Sequence, residues 1–159
     1  MYEPIRTKSV HTMADAPEIP HRSREQELDI RLAGQLTALL TVTDELHALA
    51  TRTDGGAPRD AGPADAGPAV GGLDGAELAG AAERIAEQVA RLSGGHYPLR
   101  AAPTDGGTPA RIEALQQRAH TLAGNALAVA TTRDDAAARE LAAERMAAHA
   151  ASRRDLATA

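Results

Sequence analysis

The sequence contains no cysteine, no tryptophan and no phenylalanine, and two tyrosines supply the only aromatic rings in 159 residues. Disulfides, thiolate metal sites, iron–sulfur clusters and cysteine nucleophiles are thereby excluded, as is a stacking platform built from several rings. No stretch approaches the run of about 18 apolar residues that marks a membrane-spanning helix. The opening segment is broken by Pro4, Pro17 and Pro20 and holds no apolar run of signal-peptide length. The expected setting is the cytoplasm, away from membranes. An excess of positive charge is lacking too: 17 basic against 22 acidic residues leave a net charge of -5, which argues against a nucleic-acid partner.

What the chain has in abundance is alanine, 37 residues or about 23%. Against this stand 16 leucines, 5 isoleucines, 5 valines and 3 methionines, near the poor end for a folded domain. Any core is therefore thin and close-packed. Arginine outnumbers lysine 16 to 1, Lys8 being the single lysine, a composition typical of GC-rich bacterial genomes.

Apolar spacing predicts helices throughout. Ser23 with Gln26 forms a capping-box pattern. Leu28, Leu32, Leu36, Leu39, Leu46 and Leu49 then follow along one helical face, widened by Leu40 and Val42. The tract Asp54-Gly55-Gly56-Ala57-Pro58 stops this helix near Thr53. The pentamer Asp60-Ala61-Gly62-Pro63-Ala64 is then repeated as Asp65-Ala66-Gly67-Pro68-Ala69, the texture of a flexible linker. Asp74 with Glu77 caps a second helix, carrying Leu78, Ala82, Ile85, Val89 and Leu92 and ended by Gly94-Gly95. Thr108 and Pro109 open a third, whose Ile112, Leu115, Ala119, Leu122, Ala126 and Val129 alternate in steps of three and four. Thr131 or Thr132 is the expected cap of a fourth, with Asp134 and Asp135 in its first turn and only Leu141, Met146 and Leu156 as large residues. No glycine or proline separates the third helix from the fourth, so one long helix is the alternative.

The organisation expected is a disordered tail over 1–22, a helix over 23–53, a flexible linker over 54–73, and three helices over 74–156 that pack with the first as one domain. The fold class is all-α, a four-helix up-and-down bundle.

Chemistry-bearing patterns are few. The segment Arg118-Ala119-His120-Thr121-Leu122-Ala123-Gly124-Asn125-Ala126 resembles the His-x-Leu-Lys-Gly signature of histidine-phosphotransfer domains, which are antiparallel helical bundles. The resemblance implies His120 as phosphate acceptor and Gly124 as the position that lets a receiver domain approach; Ala123 stands where that family places a charge-offsetting lysine. On a helical wheel His120 falls about 120° from the apolar stripe, which predicts a solvent-facing side chain, and a polar surface histidine is the simpler account. The same stretch, continued to Ala151, is similar to the C-terminal ends of small uncharacterised helical proteins of high-GC actinobacteria, which implies the fold and carries no activity.

His47, His120 and His149 lie on three different predicted helices, but none of those helices carries the Glu-x-x-His pair of di-metal bundles, so no metal and no cofactor is expected. The glycine pairs precede helices without a strand to aim them at a phosphate. Glu83, Arg84, Glu87 and Arg91 read as a solvated charge mosaic, as do Arg139, Glu140 and Glu144. No catalytic residue is assigned. With nine leucine, isoleucine or valine positions between Leu28 and Leu49, the first helix has more apolar surface than three lean helices cover. The expected activity is interaction, regulatory or scaffolding in kind, with a protein partner or a second copy of the chain docking on Leu36, Leu40, His47 and Leu49.

Overall fold

The computed structural model describes residues 21–55 and 73–158, with side chains in the first segment described to Arg52. The expected tail over 1–22 and linker over 54–73 lie, apart from their edges, outside the described residues. Four helices are present: α1 (Arg24–Gly55), α2 (Gly75–Leu92), α3 (Pro109–Arg133) and α4 (Ala136–Thr158). Among the described residues there is no strand, and no helix is long and apolar enough to cross a membrane.

Local chemistry sets most of the boundaries. Ser23 and Gln26 exchange both arms of a capping box: the Ser23 N–H donates to Gln26 Oε1 at 2.9 Å and the Gln26 N–H to Ser23 Oγ at 3.2 Å. Asp74 accepts the Ala76 and Glu77 N–H groups at the start of α2. That helix ends where Gly94 and Gly95 take φ of 68° and 91°, angles that side chains resist, while the Gly95 N–H reaches Ala90 O at 2.7 Å. Thr108 caps α3, with Pro109 in the first turn.

The α3–α4 boundary differs from the expected one. The Thr131 and Thr132 hydroxyls donate back to Leu127 O and Ala128 O and stay inside α3. The chain turns instead at Asp134, left-handed at φ 58°, a conformation that aspartate tolerates better than most residues, and Asp135 Oδ1 caps α4 by accepting the Ala138 N–H at 3.0 Å. Two helices therefore form without glycine or proline between them.

The ion pairs fix helix directions. The start of α2 lies against Ala50 and Thr51 near the end of α1. Arg133 at the end of α3 holds Asp29 near the start of α1 at 2.8 Å, and Arg111 at the start of α3 holds Glu45 at 2.9 Å. Arg91 near the end of α2 meets Asp135 just before α4. Thus α1 is antiparallel to α2 and to α3, α4 is antiparallel to α2, and α2 and α3 run in the same direction. The four expected helices do not alternate strictly up and down, because the connection over 93–108 carries the chain back along the bundle before α3 begins. This strap is fastened on the way. Arg100 bonds both Asp44 and Glu83, and the Thr104 N–H donates to Glu45 Oε1 at 2.9 Å. Gly107 packs so tightly on Leu49 that a Cβ there would collide with its Cδ2.

Three helix pairs, α1–α2, α1–α3 and α3–α4, form extensive interfaces; α2 and α4 touch sparingly. The core centre is leucine from α1, with Leu32, Leu36, Leu39 and Leu46 all fully buried as their spacing predicts. In α3 the buried stripe is Ile112, Gln116, Ala119, Ala123, Ala126 and Ala130, while Leu115, Leu122 and Leu127 flank it half-buried. Alanine at the centre of that face lets neighbouring backbones approach closely, so the larger residues move to its margins.

Candidate functional site

The uncovered strip expected on α1 is not on the surface of this chain. Leu36, Leu40 and Leu49 are buried, as is Val42, because α3 and the strap lie over the side of α1 that three lean helices alone would leave open. His47 is half-buried beside Gly75. None of the four residues expected to form a docking surface is exposed.

His120 is likewise half-buried rather than solvent-facing. A Cβ on Gly124, one turn along, would meet Met146 Sδ at 3.6 Å, so the glycine that would face a receiver domain faces α4 instead. Ala123, at the position of the missing lysine, is in the core. The wheel misplaces His120 because it centres the stripe on Leu115 and Leu122, whereas the buried face is centred on Gln116 and Ala123.

That shift leads to a group that spacing did not single out. Gln116 on α3 and Arg145 and His149 on α4 are each 1% exposed, among the most deeply buried polar side chains of the molecule. With its carbonyl oxygen facing the ring, Gln116 accepts from His149 Nδ1–H at 2.6 Å, which leaves Nε2 as a lone pair. Arg145 Nη1 pairs with Glu77 on α2, and Glu144 lies 3.8 Å away. Two buried atoms, Arg145 Nε and His149 Nε2, have no partner. Burial holds the imidazole down to about 4, with the Arg145 charge and His120 adding to the effect, so His149 is neutral at physiological pH. The signal was present in the sequence. Ala138, Ala142, Arg145 and His149 continue one stripe in steps of four, three and four, with polar residues where apolar ones are expected.

The geometry limits what this group can do. The space beside it, lined by Glu77, Gln116, Arg145, His149 and Ser152 among others, is about 20 Å³, the volume of a single water and too small for an organic substrate. Among the described residues no three histidine, aspartate or glutamate side chains converge as metal ligands.

The remaining features are on the surface. Leu99 is 98% exposed, Tyr97 65% and Ile30 54%, the large apolar side chains left outside among the described residues. Tyr97 and Leu99 belong to the strap as it crosses the outer side of α1 and α2. Ile30 lies on α1 fourteen residues before Asp44, where Arg100 fastens that strap, so the two share a helical face. Ile30 and Leu92 also line an open groove of about 780 Å³ together with Arg22, Gln26, Glu27 and Asp29. No protein-family model, no curated protein and no solved structure matches this chain.

Proposed function

We propose that this protein works by association, without chemistry of its own, and that its partner is a second copy of the chain docked across the strap face. The observation that carries this reading is the exposure of Leu99 and Tyr97 on a segment fastened by Arg100, and of Ile30 farther along the same face of α1. Large apolar side chains held outward on a fixed support mark contact surfaces, since leaving them in water forgoes burial worth about 1.5–3 kcal/mol each. Helix α1 keeps a part in the contact, through Ile30 rather than through the buried Leu40 and Leu49.

A second copy suits the groove rim. Arg22 and Glu27 line the same groove with opposite charges, and neither has an ion-pair partner among the described residues. A two-fold contact brings each of these to the other on the facing chain, the reciprocal pairing that isologous interfaces require. Sedimentation equilibrium tests the reading. The unaltered protein should show a concentration-dependent dimer, and Leu99→Glu combined with Ile30→Glu should leave a monomer with an unchanged helical spectrum. A single species of 16.5 kDa at every concentration of the unaltered chain would overturn it.

A further inference from the structure

The fourth side of the bundle is built unlike the other three. Where α2 faces α4, the two helices are joined chiefly by Arg–carboxylate pairs, and α2 supplies one member every seven residues: Glu77, Arg84 and Arg91. Glu77 pairs with Arg145, Arg84 grips both oxygens of Glu144 at 2.6 Å, and Arg91 meets Asp135 at 2.6 Å. Between and beside these rungs the surface opens into clefts of about 300 and 370 Å³, the first lined by Glu87, Glu140 and Leu141, the second by Arg91, Arg133 and Asp135. At one end of the seam lie Arg145 and His149, each with a nitrogen that finds no partner.

We infer that the bundle opens along this seam, the α1–α2 pair parting from the α3–α4 pair between α2 and α4 while the α1–α3 contact serves as the hinge.

Three considerations support opening there and nowhere else in the ring. Few close approaches are lost, because the α2–α4 interface is sparse while the other three are extensive. The middle rung, Arg84–Glu144, is half-exposed on both sides, where ion pairs hold weakly and are screened by salt, while Arg91–Asp135 and Arg145–Glu77 each have only one exposed member. Opening also hydrates Arg145 Nε and His149 Nε2, removing the desolvation cost that each carries in the closed bundle. The charged and titratable groups around His149 are Asp74 and Glu77 from α2, His120 from α3, and Glu144 and Arg145 from α4 itself. In the closed form they leave the ring neutral. In the open form water reaches Nε2 and the ring takes a proton in the ordinary histidine range, so opening is linked to proton uptake below about pH 6.5.

A chain without cysteine allows a clean test by paired spin labels. Glu87→Cys with Glu140→Cys places one label on each wall of the seam cleft; Thr121→Cys with Ala147→Cys, on exposed positions of α3 and α4, reports an interface that stays shut. The seam pair should show a short and a longer distance. The longer fraction should rise on going from low salt to 1 M, should rise again from pH 7 to pH 5, and should grow about two- to fivefold with Arg84→Gln, the range expected for one exposed pair. The control pair should keep one distance throughout. A single short seam distance in every buffer and in the variant would overturn the inference, as would lengthening of both pairs together, which signals general loosening. An open fraction indifferent to pH between 7 and 5 would remove His149 from it. Diluting the labelled chain with unlabelled protein removes distances between chains, so failure of the dimer reading and failure of this one are separable.

Discussion

The side of α1 that faces the bundle centre and the side of α4 that faces α2 solve the same packing problem with different materials. Along α1, four leucines are fully buried and Thr43, the buried polar residue beside them, spends its hydroxyl on Leu39 O at 2.8 Å, so that one neutral oxygen, Gln35 Oε1, is left unpaired there. Along α4, alanine fills the positions of closest approach, and of the three larger buried residues only Leu141 is apolar, the others being Arg145 and His149. Alanine brings helices together but supplies little apolar area to seal them. A bundle this poor in large residues is therefore tight on the sides where α1 or close-packed alanine does the work, and is completed on the last side by charge.

Three perturbations measure that contrast. The largest effect belongs to the leucine side: Leu39→Ala should destabilise by about 2–5 kcal/mol, the range for an inextensible buried site, with a matching fall in the denaturation midpoint. A cost near zero would mean that this face collapses readily and that the contrast is false. The next belongs to His149. Its folded value of about 4 lies below the ordinary 6.5, so the unfolded chain binds a proton that the folded chain refuses. Stability is complete above pH about 6.5 and declines as pH falls toward 4, by about 3 kcal/mol at most, and His149→Gln should flatten that slope in acid denaturation curves. An identical slope in the variant would place the acid sensitivity elsewhere. The smallest is an asymmetry in one ion pair. Glu77→Ala strands a buried guanidinium and should cost about 2 kcal/mol, less than a fully buried pair because Glu77 itself is half-exposed, whereas Arg145→Met removes the buried charge and should stay within about 1 kcal/mol of the parent. Equal costs from urea melts would show that Arg145 is held by more than Glu77.

The features that were legible in the sequence are those whose physics is local. Ser23 with Gln26, Asp74, Thr108 with Pro109, and Gly94-Gly95 mark helix ends because their side chains or φ angles act within a turn of where they stand. The leucine stripe of α1 was legible because leucine and polar residues contrast strongly there. In α3 the contrast is weak. Alanine occupies both the core and the surface, so the larger Leu115 and Leu122 drew the stripe one residue away from its true centre, and with it the positions of His120 and Gln116. The direction of α3 was not legible either, since residues 93–108 suit a short return as well as a crossing, and the pairs that settle it, Arg100 with Asp44 and Arg111 with Glu45, are far apart in sequence. Coverage of Leu40 and Leu49 followed from that crossing and so was misread with it.

The strap also bears on how the chain reaches this structure. Had α2 turned back directly into an antiparallel neighbour, the ring would be closed by the sequential helix pairs and by the first helix on the fourth; here α1 packs on α3 instead. Because the chain crosses first, α1 must find α3 from a distance: Asp29 and Arg133, which meet at 2.8 Å, are separated by 104 residues. Such closures carry their entropic cost before any contact rewards them, and folding rates fall as mean contact separation rises. The α3–α4 unit, joined by a two-residue turn, is thus expected to be in place before α1 arrives to bury its leucines.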